Sequence, residues 1–341
     1  MNKKIKRFVK YLLFFALGVS VFWWVSKDQD IDELRETLKG ADMTWVYISL
    51  IIGMLSHISR ALRWTILIES MGYKTSKLTA FLSVMIMYLA NIAVPRSGEL
   101  IRCGTMSKTE DIPFSKLLGT VVIERIIDFL MLFILLGIVL ATQLPVVADL
   151  LQSNPSMQLN FSNILHSPIF IVFSLLFVGI LLLAFVFRKR IKQNKLYIRL
   201  YSLFTQFAEG IKSISRMKRR AEFVFHSIFI WVMYFVMIYI VFLSFDFTKH
   251  ITLLTGLTVF VMSSFGMVAP APGGMGTWHF MVIQTLMIYG IQESQAYAFA
   301  ITSHTSMTLM LIVVGVISLI FLPVITRKKN FAKQDLEQKT K

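Results

Sequence analysis

The feature that most constrains this sequence is a succession of apolar segments, most of them long enough to cross a lipid bilayer. A spanning helix needs about 20 apolar residues. The segments lie roughly at 8–25, 43–67, 78–94, 115–142, 167–187, 223–244, 251–268, 277–291 and 296–323. Only 16% of the residues are charged, too few to give a water-soluble core a polar surface. We therefore expect an all-α polytopic membrane protein with about seven to nine membrane segments.

The positive charge is concentrated at the flanks of these segments. The net charge is +16, and five cations lie in Lys3–Lys10, eleven in Arg188–Arg220 and six in Arg327–Lys341. This distribution is typical of cytoplasmic flanks in membrane proteins and does not indicate a nucleic-acid partner. A single cysteine, Cys103, excludes an internal disulfide and argues against a cysteine-ligated zinc site. We expect no metal and no cofactor.

Charge also assigns the sides of the membrane. The first apolar run lacks a cleavage site and predicts a retained helix with a cytoplasmic N-terminus. Residues 143–166 contain no Lys or Arg and predict an outside loop, whereas the basic stretch 188–222 and the tail 326–341 predict cytoplasmic segments. An inside N-terminus and an outside loop require an odd number of crossings, but four apolar segments precede residue 143. One of them therefore does not cross, and the short segment 78–94 is the best candidate.

Two short helical pairs are predicted to enter the membrane and return. Segment 78–94 would break at Pro95 and return through 98–113, because proline and glycine interrupt a helix. Segment 251–268 would break in the Pro270–Gly276 run and return through 277–291. The single domain, residues 1–325, would then be an inverted repeat with a first half at about 43–142 and a second at about 223–323, a pattern that points to a transport site at the midplane. If both segments of the second pair crossed the membrane fully, the number of crossings would still agree with a cytoplasmic C-terminal tail.

Charged residues within the first half are the main site candidates. Arg60 and Arg63 share one side of a helix that also carries His57, and either snorkel to headgroups or contact a phosphate. Arg96, Glu99 and Arg102 recur at every third position after Asn91 and Pro95, where an Arg–Glu pair could leave another arginine for a ligand. Glu124, Arg125 and Asp128 follow in the next segment. We expect these acids to pair with the arginines of the preceding hairpin, and favour a structural network over a proton relay.

The second break has no charged side chain, so it could bind a ligand only through backbone groups. Gly273, Gly274 and Gly276 precede a helix and could present N–H groups to an anion, with Pro270 and Pro272 shaping the loop. Close helix packing is the alternative use of such glycines. His279 and His304 could face the same cavity, although a lone histidine in a helix is more often simply hydrogen-bonded. Cys103 should be reachable by thiol reagents from the cytoplasmic side.

In combination, these motifs resemble the transmembrane region of bacterial lysylphosphatidylglycerol synthase/flippase. The resemblance covers roughly residues 8–325 and is carried by Arg63-Trp64, Asn91, Pro95-Arg96-Ser97-Gly98-Glu99, Arg102, Glu124-Arg125, Asp128 and Pro270 to Gly276. It implies a lipid-translocating bundle with two re-entrant elements. The charged motif residues would fall in the first hairpin and its support, and the Pro/Gly run in the second. In two-domain members this region moves an aminoacylated anionic lipid that a separate cytoplasmic domain makes. Eighteen residues follow Pro323, so we do not expect the synthase activity here.

The leading hypothesis is a translocase for phospholipids or other anionic lipids in a bacterial-type cytoplasmic membrane, with both termini cytoplasmic. Movement would be passive or driven by an ion gradient through Glu99, Glu124 or Asp128. One alternative is a membrane transferase that acts on a lipid-linked substrate and uses Glu99 or Glu124. Another is a docking partner, through the basic stretch, of a separate lipid-modifying enzyme. The oligomeric state is left open.

Overall fold

The computed structural model describes residues 16, 18–27, 29–153 and 217–339. Within these residues every regular element is helical and no strand occurs. One compact unit comprises Met1–Leu140 and Met217–Lys341, and all packing reported below belongs to it. The predicted segment 167–187 lies outside the described residues, as do the N-terminal cations and the basic stretch before residue 217.

Nine labelled helices follow a helical segment at residues 18–26. They are α1 (Ile31–Lys39), α2 (Met43–Ser70), α3 (Lys77–Ala93), α4 (Gly98–Glu110), α5 (Phe114–Ser153), α6 (Arg220–Val241), α7 (Leu253–Val268), α8 (Thr277–Ile288) and α9 (Glu293–Lys339).

Four of the described helices are long and apolar enough to cross a membrane. The candidate spans are Met43–Ser70, Phe114–Gln143, Arg220–Ser244 and Glu293–Thr326. Their outward faces carry large exposed apolar side chains, among them those of Phe129 and Phe321. In water such surfaces would be costly, whereas lipid is their natural solvent. The chain is a multi-pass helical membrane protein, and these four spans match the apolar segments predicted at the same positions.

Besides α1, four further helices of the bundle are too short to span. Helices α3, α4, α7 and α8 have 17, 13, 16 and 12 residues. At 1.5 Å per residue they are about 18–26 Å long, which is less than the roughly 30 Å of a hydrocarbon core. If the outer ends of such a pair of helices lie at the membrane surface, the turn that joins the two helices lies inside the bilayer.

These short helices form two hairpins, each folded back about a non-helical break. In the first hairpin (α3 and α4), the Gly98 amide donates to Asn91 Oδ1 at 2.8 Å. In the second (α7 and α8), Thr277 Oγ1 donates to the Gly266 carbonyl at 2.8 Å. Glycine at the crossing point lets two backbones approach closely. The predicted breaks at Pro95 and in the Pro270–Gly276 run are thus present as helix interruptions.

The two hairpins begin and end at opposite ends of the bundle. At one end, which we call the Glu69 end, Arg219 Nη1 lies 2.6 Å from Glu69 Oε2 and Lys116 Nζ donates to Tyr73 Oη at 3.0 Å. The first hairpin starts and finishes here. At the other end, which we call the Asp42 end, the Asp42 amide donates to the Ser244 carbonyl at 2.9 Å.

The second hairpin starts and finishes at the Asp42 end. Helix α8 leads there into α9, whose Ser294 hydroxyl donates to Glu33 Oε1 at 2.6 Å. Asp42 also caps helix α2. Hydrogen bonds from the side chain and the backbone amide of Thr44 hold the pKa of Asp42 below its usual range.

Two sequence expectations were wrong in detail. Helix α5 continues to Ser153, so residues 143–153 are not a loop; this stretch lacks glycine, and Pro145 alone does not end the helix although proline disfavours a helix interior. A further helix, α1, lies in the stretch 26–42, where no apolar segment is predicted; Asp30 caps it by accepting from Asp32 N at 2.8 Å. Cys103 is fully buried, which contradicts its expected accessibility to thiol reagents.

Replacing Gly98 tests the close crossing of the first hairpin. A Cβ at Gly98 would overlap the Met87 carbonyl and the Asn91 side chain, whereas a Cβ at Gly104 in the same helix would meet nothing. We expect Gly98→Ala to lower the free energy of unfolding by roughly 1–3 kcal/mol. Gly104→Ala should be neutral or stabilising, because alanine is favoured over glycine in a helix. Thermal unfolding of the purified variants measures both, and equal behaviour would contradict the observed crossing.

Candidate functional site

Five charged side chains meet inside the first half of the bundle and form what we call the buried charge cluster. They are Arg60 and Arg63 from α2, Arg102 from α4, and Glu124 and Asp128 from α5, and all are buried. The spacings explain the convergence, because residues three or four apart share a helix face. Three helices are therefore joined by charge at a depth where water is scarce.

The pairing within the cluster is dense. Asp128 lies between two arginines, with Oδ1 2.9 Å from Arg63 Nη2 and Oδ2 3.2 Å from Arg60 Nη1. Glu124 bonds Arg102 directly and lies 3.6 Å from Arg63 Nη2. Shared guanidinium groups bring several charge-assisted hydrogen bonds into one small volume. Removing one partner would leave an uncompensated buried charge, which costs far more than an exposed one.

Trp64 supports the cluster from within. Its indole N–H donates to Thr120 Oγ1 at 2.8 Å, and the Arg102 guanidinium carbon lies 4.2 Å from the centre of its ring. A cation over an indole face is favourable, most of all where both groups are desolvated. The Arg63-Trp64 pair noted in the sequence therefore serves both sides of the cluster: Arg63 meets the acids, and Trp64 positions Arg102.

The sequence predicted that Glu124 and Asp128 would pair with arginines of the preceding hairpin, and Arg102 does pair with Glu124. The principal partners of Asp128, however, are Arg60 and Arg63 of α2, which point inward rather than snorkelling to headgroups. The sequence contained a signal for the pairing of Asp128 with Arg60 and Arg63. Two arginines three apart on one helix match two acids four apart on another, and buried charges are expected to be paired.

A second, more exposed ion pair adjoins the cluster. Arg125 Nη2 lies 3.1 Å from Glu99 Oε1, and its other terminal nitrogen lies 3.9 Å from Asp128. The Arg125 side chain is 48% exposed and that of Glu99 20%. Glu99 therefore pairs with Arg125 and not with its hairpin neighbours Arg96 and Arg102. The every-third-residue spacing suggested an internal pair, but the facing helix supplies the closer cation.

Arg96 joins the two breaks. Its backbone adopts a left-handed φ of 59°, which is uncommon for a non-glycine residue. Its exposed side chain donates to the Val268 carbonyl at 2.7 Å, at the C-terminal end of α7, where carbonyls lack helical partners. Gly273 of the second break lies against Ile92 near the end of α3. The tips of both hairpins thus meet, although Arg96 lies apart from the buried charge cluster.

The glycines of the second break allow a backbone conformation that other residues rarely adopt. Gly273, Gly274 and Gly276 have φ of 55°, 75° and 77°, the left-handed region that glycine adopts without strain. The Gly274 amide already donates to the Ala271 carbonyl at 3.1 Å. Gly276 lies against the backbone of the helical segment 18–26, a contact that the sequence did not reveal. Pro272 is buried and Pro270 half-buried beside them.

The two histidines of the second half come together as the sequence suggested. The rings of His279 and His304 lie 4.4 Å apart, and both are buried. His304 Nε2 lies 2.9 Å from the Gly273 carbonyl and so holds the break against α9. Phe22 and Trp278 pack around the pair. In the described part of the chain no group of three or more His, Cys, Asp and Glu residues could hold a metal ion.

His57, also a candidate, lies one turn before Arg60 on α2. It is buried beside Tyr88 of α3, with ring centres 4.5 Å apart, and faces Tyr234 of α6 at 6.1 Å. Arg60 Nε donates to Tyr234 Oη at 3.3 Å. These two tyrosines were not singled out by sequence reasoning, because single tyrosines within apolar segments carry no pattern.

Comparison with known proteins gives results that agree with this architecture. The family model described as "Lysylphosphatidylglycerol synthase TM region" matches residues 11–315. A UPF0104 membrane protein of Pyrococcus horikoshii is 22% identical over 313 residues, which cover 87% of this chain and 91% of that protein. Another, from Methanocaldococcus jannaschii, is 29% identical over 101 residues, or 29% of this chain and 30% of that protein.

Neutralising Glu124 tests the cluster. Glu124→Gln leaves three buried arginines with one carboxylate, so we expect a loss of about 3–5 kcal/mol in the free energy of unfolding. Glu36→Gln, in the exposed pair with Lys39, should cost less than about 1 kcal/mol. Adding Arg102→Met to Glu124→Gln should recover part of the loss. Thermal unfolding in detergent compares the variants, and similar small losses for Glu124→Gln and Glu36→Gln would show that the cluster does not stabilise the bundle.

Proposed function

The chain belongs to the lysylphosphatidylglycerol synthase TM region family, and from this premise we propose that it moves a phospholipid or other anionic amphiphilic lipid between membrane leaflets. The lipid's acyl chains would stay in the bilayer while its headgroup passes through the bundle. Membrane lipids, with anionic headgroups preferred, are the partners of this function.

The contact between the two hairpin tips carries the proposal. Arg96 reaches the Val268 carbonyl, and Gly273 lies on Ile92, although the hairpins start from opposite ends of the bundle. Non-helical backbone at membrane depth is tolerated only when protein buries it or water lines it. Broken helices at corresponding positions of two halves are typical of transport sites at the midplane. We interpret the hairpins as re-entrant elements of an inverted repeat, within a total of seven to nine membrane segments.

A headgroup path along the first half would be polar and of limited depth. The buried charge cluster provides fixed cations on one side, and the Arg125–Glu99 pair lies at its more exposed margin. An anionic phosphate is attracted by arginines that are already held in place by acids, because little reorganisation is needed on binding. Separation of Arg96 from Val268 would open the route between the tips.

The residues also bear on the energy source. Glu124 faces two guanidinium groups and Asp128 three, so protonating either acid would leave those cations unbalanced. Glu99 has one close partner, Arg125, and is partly exposed. Among the three acids considered, Glu99 is therefore the best candidate for a gradient-coupled step, and passive movement needs none of them.

For localisation we propose a bacterial-type cytoplasmic membrane with both termini on the cytoplasmic side. The cations in Lys3–Lys10, Arg188–Arg220 and Arg327–Lys341 support this orientation through the positive-inside rule. The Glu69 end, where Arg219 precedes α6, would then face the cytoplasm. The Asp42 end, next to the acidic stretch 26–42, would face outward.

Removing the Arg96 side chain tests the tip contact in transport. Arg96→Gly is the most specific substitution, because glycine adopts the φ of 59° without strain and only the side chain is lost. Because loss of the Arg96–Val268 contact would open the route between the tips, we expect headgroup translocation in proteoliposomes to rise by about tenfold, the factor that a hydrogen bond from a charged group contributes. Lys108→Ala, an exposed change in the same hairpin, should move lipid at the wild-type rate. Unchanged transport in Arg96→Gly would remove the tip contact from the mechanism.

Single engineered cysteines test the orientation of the hairpins. Lys74→Cys and Lys108→Cys lie toward the Glu69 end, and Lys249→Cys and Gln292→Cys toward the Asp42 end; all four positions are exposed. We expect an impermeant thiol reagent to label the first pair only from the cytoplasmic side and the second only from outside. The wild type, whose Cys103 is buried, serves as the blank. Labelling of all four from one side would refute hairpins of opposite orientation.

A further inference from the structure

His57 is the most conspicuous unexplained polar group of the bundle. Its side chain is 3% exposed, and among the described residues neither ring nitrogen has a hydrogen-bond partner. A buried polar group without a partner is costly, and native structures rarely leave one without a reason. An imidazole has two nitrogens that both seek partners. Its position therefore indicates a ligand that binds beside it.

The groups around His57 all suit one kind of ligand. Arg60, one turn along α2, places its guanidinium carbon 5.8 Å from the Tyr234 ring centre. Tyr88 packs on the imidazole, and its hydroxyl lies 2.8 Å from that of Tyr234. Three helices thus contribute a guanidinium, an imidazole and two phenols to one place. Each is a hydrogen-bond donor, and the four residues form what we call the His57 pocket.

Counting protons shows that the tyrosines still have a donor to give. Tyr88 and Tyr234 carry two hydroxyl protons between them, and their mutual hydrogen bond uses one. Arg60 Nε donates to Tyr234, so it supplies a proton to the pair and takes none. The second hydroxyl proton has no acceptor among the described residues. The pocket therefore offers N–H and O–H donors in excess of its acceptors.

The charges beside the pocket also favour a negatively charged ligand. The buried charge cluster contains three arginines and two carboxylates among the described residues, which leaves one positive charge in excess. Arg125 and Glu99 balance each other. A surplus charge in a poorly solvated site is stabilised by a counterion. One negative charge would complete the balance, and a phosphodiester carries one.

We propose that the His57 pocket, formed by His57, Arg60, Tyr88 and Tyr234, binds a phosphodiester group, with the phosphate oxygens accepting from all or most of these donors. The inference rests on the proposed function in taking a lipid headgroup as the source of the phosphodiester. It also moves the expected phosphate contact away from the glycine amides and Arg96, toward the facing sides of α2, α3 and α6. Tyr88 and Tyr234 are only half-buried, which leaves the pocket a side for entry.

Binding to the purified full-length chain in nanodiscs tests the pocket. The probes are phosphatidylglycerol, diacylglycerol without phosphate, deacylated glycerophosphoglycerol and inorganic phosphate, each detected by native mass spectrometry or thermal shift. The variants are His57→Phe and Tyr88→Phe, which keep the ring and remove the polar atoms. Tyr47→Phe, on the exposed side of α2, is the matched control.

The expected result is binding of phosphatidylglycerol but not of diacylglycerol, weakened about tenfold in His57→Phe and in Tyr88→Phe, the factor expected for a hydrogen bond to a charged group. Tyr47→Phe should bind as wild type does. Binding of glycerophosphoglycerol or inorganic phosphate with the same dependence would support the pocket with a soluble source. In the absence of probe, His57→Phe should melt no lower than wild type, because it removes an unsatisfied buried group.

Wild-type affinity in folded His57→Phe and Tyr88→Phe would overturn the pocket, as would equal binding of diacylglycerol. These outcomes are separable from the proposed function. Translocation that persists in both variants, with unaltered lipid binding, would remove the pocket and leave a translocase. Pocket-dependent binding without any translocation would keep the pocket and remove the translocase.

Discussion

The placement of Asp128 between two guanidinium groups is the interaction on which the first half of the bundle depends. Through Arg60 and Arg63 it ties α5 to α2, and through Glu124 the same helix holds Arg102 of the first hairpin. In lipid there is no apolar driving force between helices, so polar contacts and close packing must hold them together. The cluster supplies the polar contacts, and it holds the first hairpin against α2 and α5.

Close packing of backbones is the other contribution that holds the helices together. Gly98 and Gly266 each bring two backbones together within a hairpin, and the left-handed glycines of the second break let the chain reverse where few other residues could. Helices α4 and α8 are too short to span a bilayer, and each begins at a break. The two tips cover each other through Arg96 and Gly273, and His304 holds the second tip to α9.

A bundle stabilised in this way has polar groups in its interior, where an unpaired polar atom is costly. Several of these groups have partners: Trp64 bonds Thr120, Arg63 contacts Ser227 and two acids, and Arg102 bonds Glu124. His57 stands out against that background, and it stands beside the surplus positive charge. Buried nitrogens of Arg63 and Arg102 also lack a partner among the described residues. Unused donors next to the half-buried Tyr88 and Tyr234 fit a site whose remaining partner is an anion.

Apolar length, proline and glycine act locally, so the helical class, the four described spans and both breaks could be predicted from the sequence alone. It also marked Glu124 and Asp128 as paired acids, since an unpaired charge cannot stay buried. The partners of these acids, in contrast, depend on how the helices pack in three dimensions. Arg60 and Arg63 lie 68 and 65 residues from Asp128, and Tyr88 and Tyr234 come from different halves. Helices separated by long stretches of chain meet through packing, and no periodicity within one segment encodes which face of a distant helix it will find.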